Sequence, residues 1–138
     1  MYRELKEEID DYIQDWYYGD KHYELAFELG EFLWYFLDYI NYLDVSESTK
    51  KKHRSNCWCI GRLESNYGYR EKFYPNILED GPHYEYEFKR KFGDSKYAIQ
   101  SYRSTWNKLD KYIKEQKYLI NYVSQKYEDE SNFITDLV

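Results

Sequence analysis

Residues 22–43 read HYELAFELGEFLWYFLDYINYL, and this stretch decides the fold. Apolar side chains recur in it at steps of three and four residues, which is the period of an amphipathic α-helix. Those positions are Leu25, Leu29, Phe32, Leu33, Phe36, Leu37 and Ile40. Trp34, Tyr35, Tyr39 and Tyr42 widen the apolar surface. We therefore expect a central helix that neighbours contact on more than one side.

The same period extends outward from this helix. Residues 2–17 predict a helix that stops at Gly19, and Ser46 is a suitable N-cap for a helix that continues to about Asn66. Both prolines lie in residues 68–83, which predicts a loop with one short turn at Asn76 to Glu79. Residues 84–92 alternate as in a strand but also fit a short helix, which we favour because no second strand is available to pair with it. A long C-terminal helix follows Asp94.

These elements predict an all-α fold, a single-domain bundle of about four to five helices with one long C-terminal helix. We expect the helical domain to span residues 1–128 and an acidic C-terminal tail to span residues 129–138. The length of 138 residues suits one domain. The longest apolar run, residues 32–37, is far below the roughly 20 residues that cross a bilayer, so no membrane association is expected. Acids near Met1 do not resemble a secretory signal, and we expect a cytoplasmic protein.

Catalytic, metal and cofactor motifs are missing from the sequence. The six glycines never come closer than seven residues apart, so the phosphate-binding loops of nucleotide enzymes are absent. Cys57 and Cys59 would point to different sides of a helix and cannot form an unstrained disulfide, and we interpret them as packing residues. His53 can reach Cys57 but lacks a third orienting group. We therefore predict no catalytic site, no metal site, no cofactor and no enzymatic activity.

Charge divides the chain into three blocks. Residues 1–44 carry a net charge of −9, residues 45–125 carry +6, and residues 126–138 carry −3. One interpretation pairs the basic block with acids of the first helices, with Glu7, Asp11, Glu24, Glu28 and Glu31 as candidates. The other assigns nucleic-acid binding to a basic aromatic face of the third helix, because cations neutralise phosphates and a tryptophan can stack on bases. The residues of this second interpretation are Lys50, Lys51, Arg54, Trp58 and Arg62.

Several short motifs carry a resemblance to known proteins. The turn Val45-Ser46-x-x-Thr49-x-x-x-His53, the segment Asn56-x-Trp58-x-Ile60-Gly61, Gly81-Pro82-x-Tyr84 and Tyr102-x-x-Thr105-Trp106 resemble a family of small uncharacterised bacterial helical proteins. The aromatic helix followed by a Ser-capped helix is also similar, over about 50 residues, to the helical core-binding domain of tyrosine recombinases. The catalytic residues of a recombinase are absent, so its activity does not carry over.

The tyrosine content motivates the leading function hypothesis. Tyrosine accounts for 19 residues, more than a core of this size needs, and exposed Tyr and Trp supply binding energy at protein interfaces. Tyrosines that lie off the helical stripes are the partner-binding candidates: Tyr17, Tyr18, Tyr69 and Tyr86. We therefore predict a non-enzymatic protein-protein interaction protein of bacterial or mobile-element origin, such as an acidic inhibitor of a nuclease or defence complex. The alternative is a nucleic-acid-binding accessory protein, and a homodimer is compatible with either.

Overall fold

The computed structural model describes the backbone of residues 2–137 and the side chains of residues 4–20 and 22–117. Within residues 2–137 the chain forms five α-helices, two short 3-10 helices and no strand. The α-helices are α1 (Tyr2–Tyr12), α2 (Tyr23–Tyr42), α3 (Glu47–Tyr67), α4 (Glu85–Lys91) and α5 (Lys96–Leu137). The 3-10 helices span Asp20–His22 and Pro75–Leu78. The predicted all-α single-domain fold is confirmed.

The central helix of the fold is α2, as the sequence predicts. It packs against both α1 and α3, while α5 packs against α3 and against the 3-10 helix Pro75–Leu78. Eight of its residues are buried: Leu25, Ala26, Leu29, Gly30, Leu33, Phe36, Leu37 and Ile40. Burial of a large aliphatic or aromatic side chain stabilises a fold by about 1.5–3 kcal/mol, so this stripe is a main source of the stability of the bundle.

The predicted first helix is shorter than expected, because α1 ends at Tyr12 instead of near Tyr17. Ile13 and Trp16 leave helical geometry and insert toward two glycines of the neighbouring helices. A Cβ atom at Gly30 would lie 2.4 Å from Ile13 Cγ2, and one at Gly61 would lie 2.1 Å from Trp16 Cη2. The missing side chains at these glycines make the space that Ile13 and Trp16 fill, and both residues are fully buried.

The caps of α3 follow the sequence prediction. The Ser46 hydroxyl accepts a hydrogen bond from the backbone N–H of Thr49 at 3.2 Å, which satisfies one of the free donors of the first turn. Thr49 is half-exposed at the helix end, and its hydroxyl accepts a hydrogen bond from the Ser46 hydroxyl at 2.9 Å. The helix ends at Tyr67, with Gly68 as its C-cap.

Within this segment Glu85–Lys91 is helical, which confirms the choice of a short helix over a strand. The ring of Phe88 stacks on that of Tyr102 in α5 at a centroid distance of 4.0 Å. The Tyr102 hydroxyl donates to the carbonyl oxygen of His83 at 2.7 Å. These two contacts attach α4 and its preceding loop to α5.

A buried polar cluster joins α3 to α5. The Asn56 amide donates to the Ser101 carbonyl at 3.0 Å and to the Thr105 hydroxyl at 2.9 Å. His53 Nδ1 lies 2.7 Å from the same Thr105 hydroxyl. His53 and Thr105 are fully buried, and hydrogen bonds between buried side chains fix how two helices are aligned, although His53 Nε2 has no partner within the described residues.

The predicted division between a domain at 1–128 and a tail at 129–138 stays a prediction. The helical backbone of α5 continues to Leu137, through most of the segment assigned to the tail. The side chains of that segment lie outside the described residues.

The buried histidine makes stability depend on pH. Burial, assisted by the positive charges of Lys108 and Lys52, lowers the pKa of His53 to about 4. The unfolded chain, with a histidine pKa of about 6.5, takes up this proton first as the pH falls. We expect the free energy of unfolding to be unaffected by this group above pH 6.5 and to fall by up to about 3 kcal/mol as the pH approaches 4.

Urea titrations at several pH values measure this dependence, and His53→Gln is the control that removes the proton-binding group. The difference between the two proteins isolates His53 from the carboxyl groups, which titrate in both. An identical decline in stability for both proteins would show that His53 is not held neutral by the fold.

Candidate partner-binding groove

A groove of about 600 Å³ lies between the segment after α1 and the end of α3. We call it the tyrosine groove. Its lining residues are Trp16, Tyr17, Tyr18, His22, Leu25, Ser65, Asn66, Tyr69, Arg70 and Glu71. Three of the four tyrosines predicted to bind a partner, Tyr17, Tyr18 and Tyr69, therefore meet at one site although about 50 residues separate them in sequence.

Tyr17 and Tyr18 follow directly after the buried Trp16, and they differ in exposure. Tyr17 is half-buried, with its ring edge-on to that of Tyr23 at a centroid distance of 5.3 Å. Tyr18 is 75% exposed. Gly19 has a φ of 68°, a left-handed conformation that side chains rarely adopt, and it turns the chain toward α2. Tyr17 thus forms part of the wall, and Tyr18 projects from the rim.

Tyr69 enters the groove from the opposite wall in a strained backbone conformation. Its φ is 51°, and its side chain is 88% exposed. Glycine is the usual residue at a left-handed position after a helix. Here the glycine precedes that position, because a Cβ atom at Gly68 would lie 2.6 Å from the backbone oxygen of Glu64. A bulky residue therefore takes the left-handed conformation, at an expected cost of about 1–2 kcal/mol.

Arg70 is held at the rim by a buried carboxylate. Its Nε donates to Glu64 Oε1 at 3.0 Å, and Glu64 is buried while Arg70 is half-exposed. Burial, followed by a hydrogen bond with Glu64, raises the pKa of Tyr84 above its usual value of 10. Glu64 thus joins the rim of the groove to the loop before α4. Sequence patterns did not predict Trp16, Arg70 or Glu64 as part of a site.

Two polar atoms of groove residues are left without a partner. Trp16 Nε1 and Ser65 Oγ are buried and have no hydrogen bond within the part of the chain that the structure describes. A buried donor without a partner destabilises a fold by about 1–3 kcal/mol. The groove therefore retains unused hydrogen-bonding capacity in its wall.

Tyr86, the fourth predicted tyrosine, is separate from this groove. It lies on α4 and is 73% exposed, but it is not part of the groove lining. Its assignment to a partner surface stays a prediction.

The basic aromatic residues of α3 make contacts within the fold. The Arg54 guanidinium lies over the ring of Trp34 at 5.2 Å, and that of Arg62 lies over the ring of Trp58 at 5.4 Å. Lys50 pairs with Glu47 at 3.3 Å, and Lys51 is exposed. A pocket of about 250 Å³ is lined by Lys50, Lys51, Arg54 and Trp34 together with the acids Asp38 and Glu47. Trp58 and Arg62 do not line this pocket, so the predicted stripe does not form one continuous binding surface there.

The cysteines lie in and beside the core. Cys57 is fully buried, Cys59 is half-buried, and both are free thiols. Burial raises the pKa of Cys59 to about 11 and also raises that of Cys57. Among the described side chains, no group of three or more His, Cys, Asp or Glu residues is arranged to hold a metal ion. Within the described part of the chain, no helix is long and apolar enough to span a bilayer.

Comparison of the chain with family models, with curated proteins and with solved structures finds no match. The groove and its chemistry are therefore the basis for any statement about function.

Relief of the strain at Tyr69 gives a stability prediction. Tyr69→Gly removes the free-energy cost of the left-handed backbone conformation. Glycine also has more entropy in the unfolded chain, which offsets part of this gain. We therefore expect the free energy of unfolding to rise by up to about 1 kcal/mol. Urea denaturation measures it. Tyr18→Gly is the matched control, since Tyr18 is also exposed but has no positive φ, and it should give no gain. A lower free energy of unfolding for Tyr69→Gly than for the wild type would contradict the inference that the Tyr69 backbone is strained.

Proposed function

We propose that this chain is a protein-binding protein and that the tyrosine groove is its contact surface. The observation that carries the proposal is the convergence of Tyr17, Tyr18 and Tyr69 at one groove whose floor is the buried Trp16. Tyrosine and tryptophan are enriched among the residues that dominate binding energy at protein interfaces. A partially exposed aromatic groove is a common place for a partner side chain to insert.

The conformation of Tyr69 supports a functional role. Within the described residues its side chain has no ring contact, ion pair or hydrogen bond that would offset the backbone strain. Strained residues concentrate at binding and active sites, where the stored energy is retained for function. The exposed side chain of Tyr69 is therefore available for contact with a partner.

The charge of the molecule supports a basic partner. Ten of the twelve acids in residues 1–44 are exposed: Glu4, Glu7, Glu8, Asp11, Asp15, Asp20, Glu24, Glu28, Asp38 and Asp44. Asp15 and Asp20 flank Tyr17 and Tyr18 in sequence, so acidic charge borders the groove. This agrees with an acidic inhibitor that covers the basic groove of a nuclease or defence complex in the cytoplasm of a bacterium.

Nucleic-acid binding is the second candidate. The pocket lined by Lys50, Lys51 and Arg54 favours it, because three cations beside Trp34 suit a phosphate and a stacked base. It ranks second because Arg54 already stacks on Trp34, and Asp38 and Glu47 border the same pocket.

Affinity capture from a lysate of the source organism tests the proposal. We expect the wild-type chain to retain a stoichiometric protein, and Tyr18→Ala with Tyr69→Ala to weaken retention by at least about 30-fold, the effect of losing one hot spot of 2 kcal/mol. Tyr97→Ala is the matched control, because Tyr97 is as exposed as Tyr18 and lies outside the groove.

Equal retention by the double variant and the wild type would contradict the groove as the contact surface. If the wild type retains nucleic acid and Lys51→Glu does not, the result would favour the second candidate, nucleic-acid binding. If the capture recovers only this chain, and light scattering shows that it is a dimer, then the chain binds a second copy of itself and the proposal of a different protein partner is contradicted.

A further inference from the structure

A second opening, the aromatic cleft, lies between α2, the 3-10 helix Pro75–Leu78 and α5. Its volume is about 550 Å³, and its walls include Phe32, Tyr35, Tyr74, Pro75 and Tyr112. No residue is shared with the tyrosine groove. Clefts of this size with mainly aromatic walls are typical binding cavities for ligands and for anchoring side chains.

The inner wall of the cleft is formed before any ligand binds. The ring of Phe32 lies 5.9 Å from that of Tyr112 and 5.6 Å from that of Phe73. Tyr39 packs on the other side of Tyr112 at 5.1 Å. Tyr35 and Tyr74 stand at the mouth and are about half exposed, at 48% and 57%. A partner side chain would therefore enter between ordered rings.

The face of α2 that carries Tyr35 is acidic. Glu28, Glu31, Tyr35 and Asp38 follow one another at steps of three and four residues, which places them along one face of the helix. Glu28 and Asp38 are exposed, and none of the three acids forms an ion pair with a described residue. Burial, then the charges of Tyr39 and Asp38, raises the pKa of Tyr112, so the field of Asp38 reaches the cleft.

Two described lysines of α5, on the opposite side of the cleft, are paired with acids. Lys117 Nζ lies 2.5 Å from Glu79 Oε1, and Lys114 Nζ lies 3.1 Å from Asp80 Oδ1 and 3.0 Å from Asp110 Oδ2. The two lysines are thus neutralised by acids of their own neighbourhood. The α2 acids beside Tyr35 have no such partner among the described residues and give this face of the helix a negative charge.

We propose that the aromatic cleft docks a lysine- or arginine-rich segment of a protein partner, which inserts one aromatic or aliphatic side chain between Tyr35 and Tyr74 and places its cations along Glu28, Glu31 and Asp38. From Glu28 to Asp38 the helix rises about 15 Å, which a short peptide spans and a small molecule does not. Tyrosine faces at the mouth also attract cations. Acids at the mouth repel phosphate, which excludes nucleic acid as the occupant. This surface does not depend on the tyrosine groove.

Titration of the labelled protein with a synthetic probe tests the proposal by nuclear magnetic resonance. The probe is acetyl-Lys-Lys-Trp-Lys-Lys-amide, and its control carries Glu in place of each Lys. We expect the lysine probe alone to bind, with shifts in the residues of the cleft and weaker binding at higher salt. Tyr35→Ala, or Glu28→Gln with Glu31→Gln, should weaken binding at least about tenfold, a loss of 1.4 kcal/mol.

Tyr42→Ala is the matched control, because Tyr42 lies on the same face of α2, is 90% exposed and is outside the cleft. It should leave the affinity within about twofold of the wild-type value. Equal binding of the two probes, or undiminished binding to both cleft variants, would overturn the proposal. The proposal would also be overturned if the wild-type chain is a dimer and Tyr35→Ala dissociates it, because a second copy of the chain would then occupy the cleft. Because the tyrosine groove is intact in these variants, their failure leaves the proposed function standing.

Discussion

The insertion of the Trp16 indole at the crossing of α2 and α3 is the contact on which the other features depend. The indole occupies the space where a side chain at Gly61 would lie, and Ile13 occupies the corresponding space at Gly30. A buried tryptophan contributes several kcal/mol to folding, but only where its neighbours leave room. The helix α1 ends at Tyr12, shortly before the inserted indole. Tyr17 and Tyr18 directly follow Trp16 and line the groove. Fold and candidate site are therefore set by the same residue.

A similar arrangement recurs at the other end of the bundle. A Cβ atom at Gly81 would lie 2.1 Å from the ring of Trp106 in α5, so this glycine too makes room for a tryptophan. Asn56 and Thr105 of the polar cluster join α3 to α5 in the same part of the bundle. These residues hold the elements of the bundle together, whereas Tyr18 and Tyr69 are exposed.

Local sequence signals predicted most of the helices and fewer of the contacts. The apolar period of α2 and the Ser46 cap of α3 are local, so they could be located without a structure. The packing of Ile13 and Trp16 could not, because it depends on two glycines that lie on two other helices. Exposure of Tyr18 and Tyr69 followed from their positions off the helical stripes, but their convergence depends on how α1 and α3 pack. Arg54 lies over the rings of Tyr12 and Trp34, whose proximity no sequence spacing indicates, and its assignment to nucleic-acid binding stays a prediction.

A double-mutant cycle between Gly61 and Trp16 tests the central claim most directly. Urea denaturation would be measured for the wild type, Gly61→Ala, Trp16→Leu and the double variant. If the indole fills the space at Gly61, alanine there lowers the free energy of unfolding by about 1–3 kcal/mol in the wild type. In the Trp16→Leu protein it is neutral, or gains up to about 1 kcal/mol from the higher helix propensity of alanine. An equal loss in both backgrounds would show that the two residues are not coupled and would contradict the account.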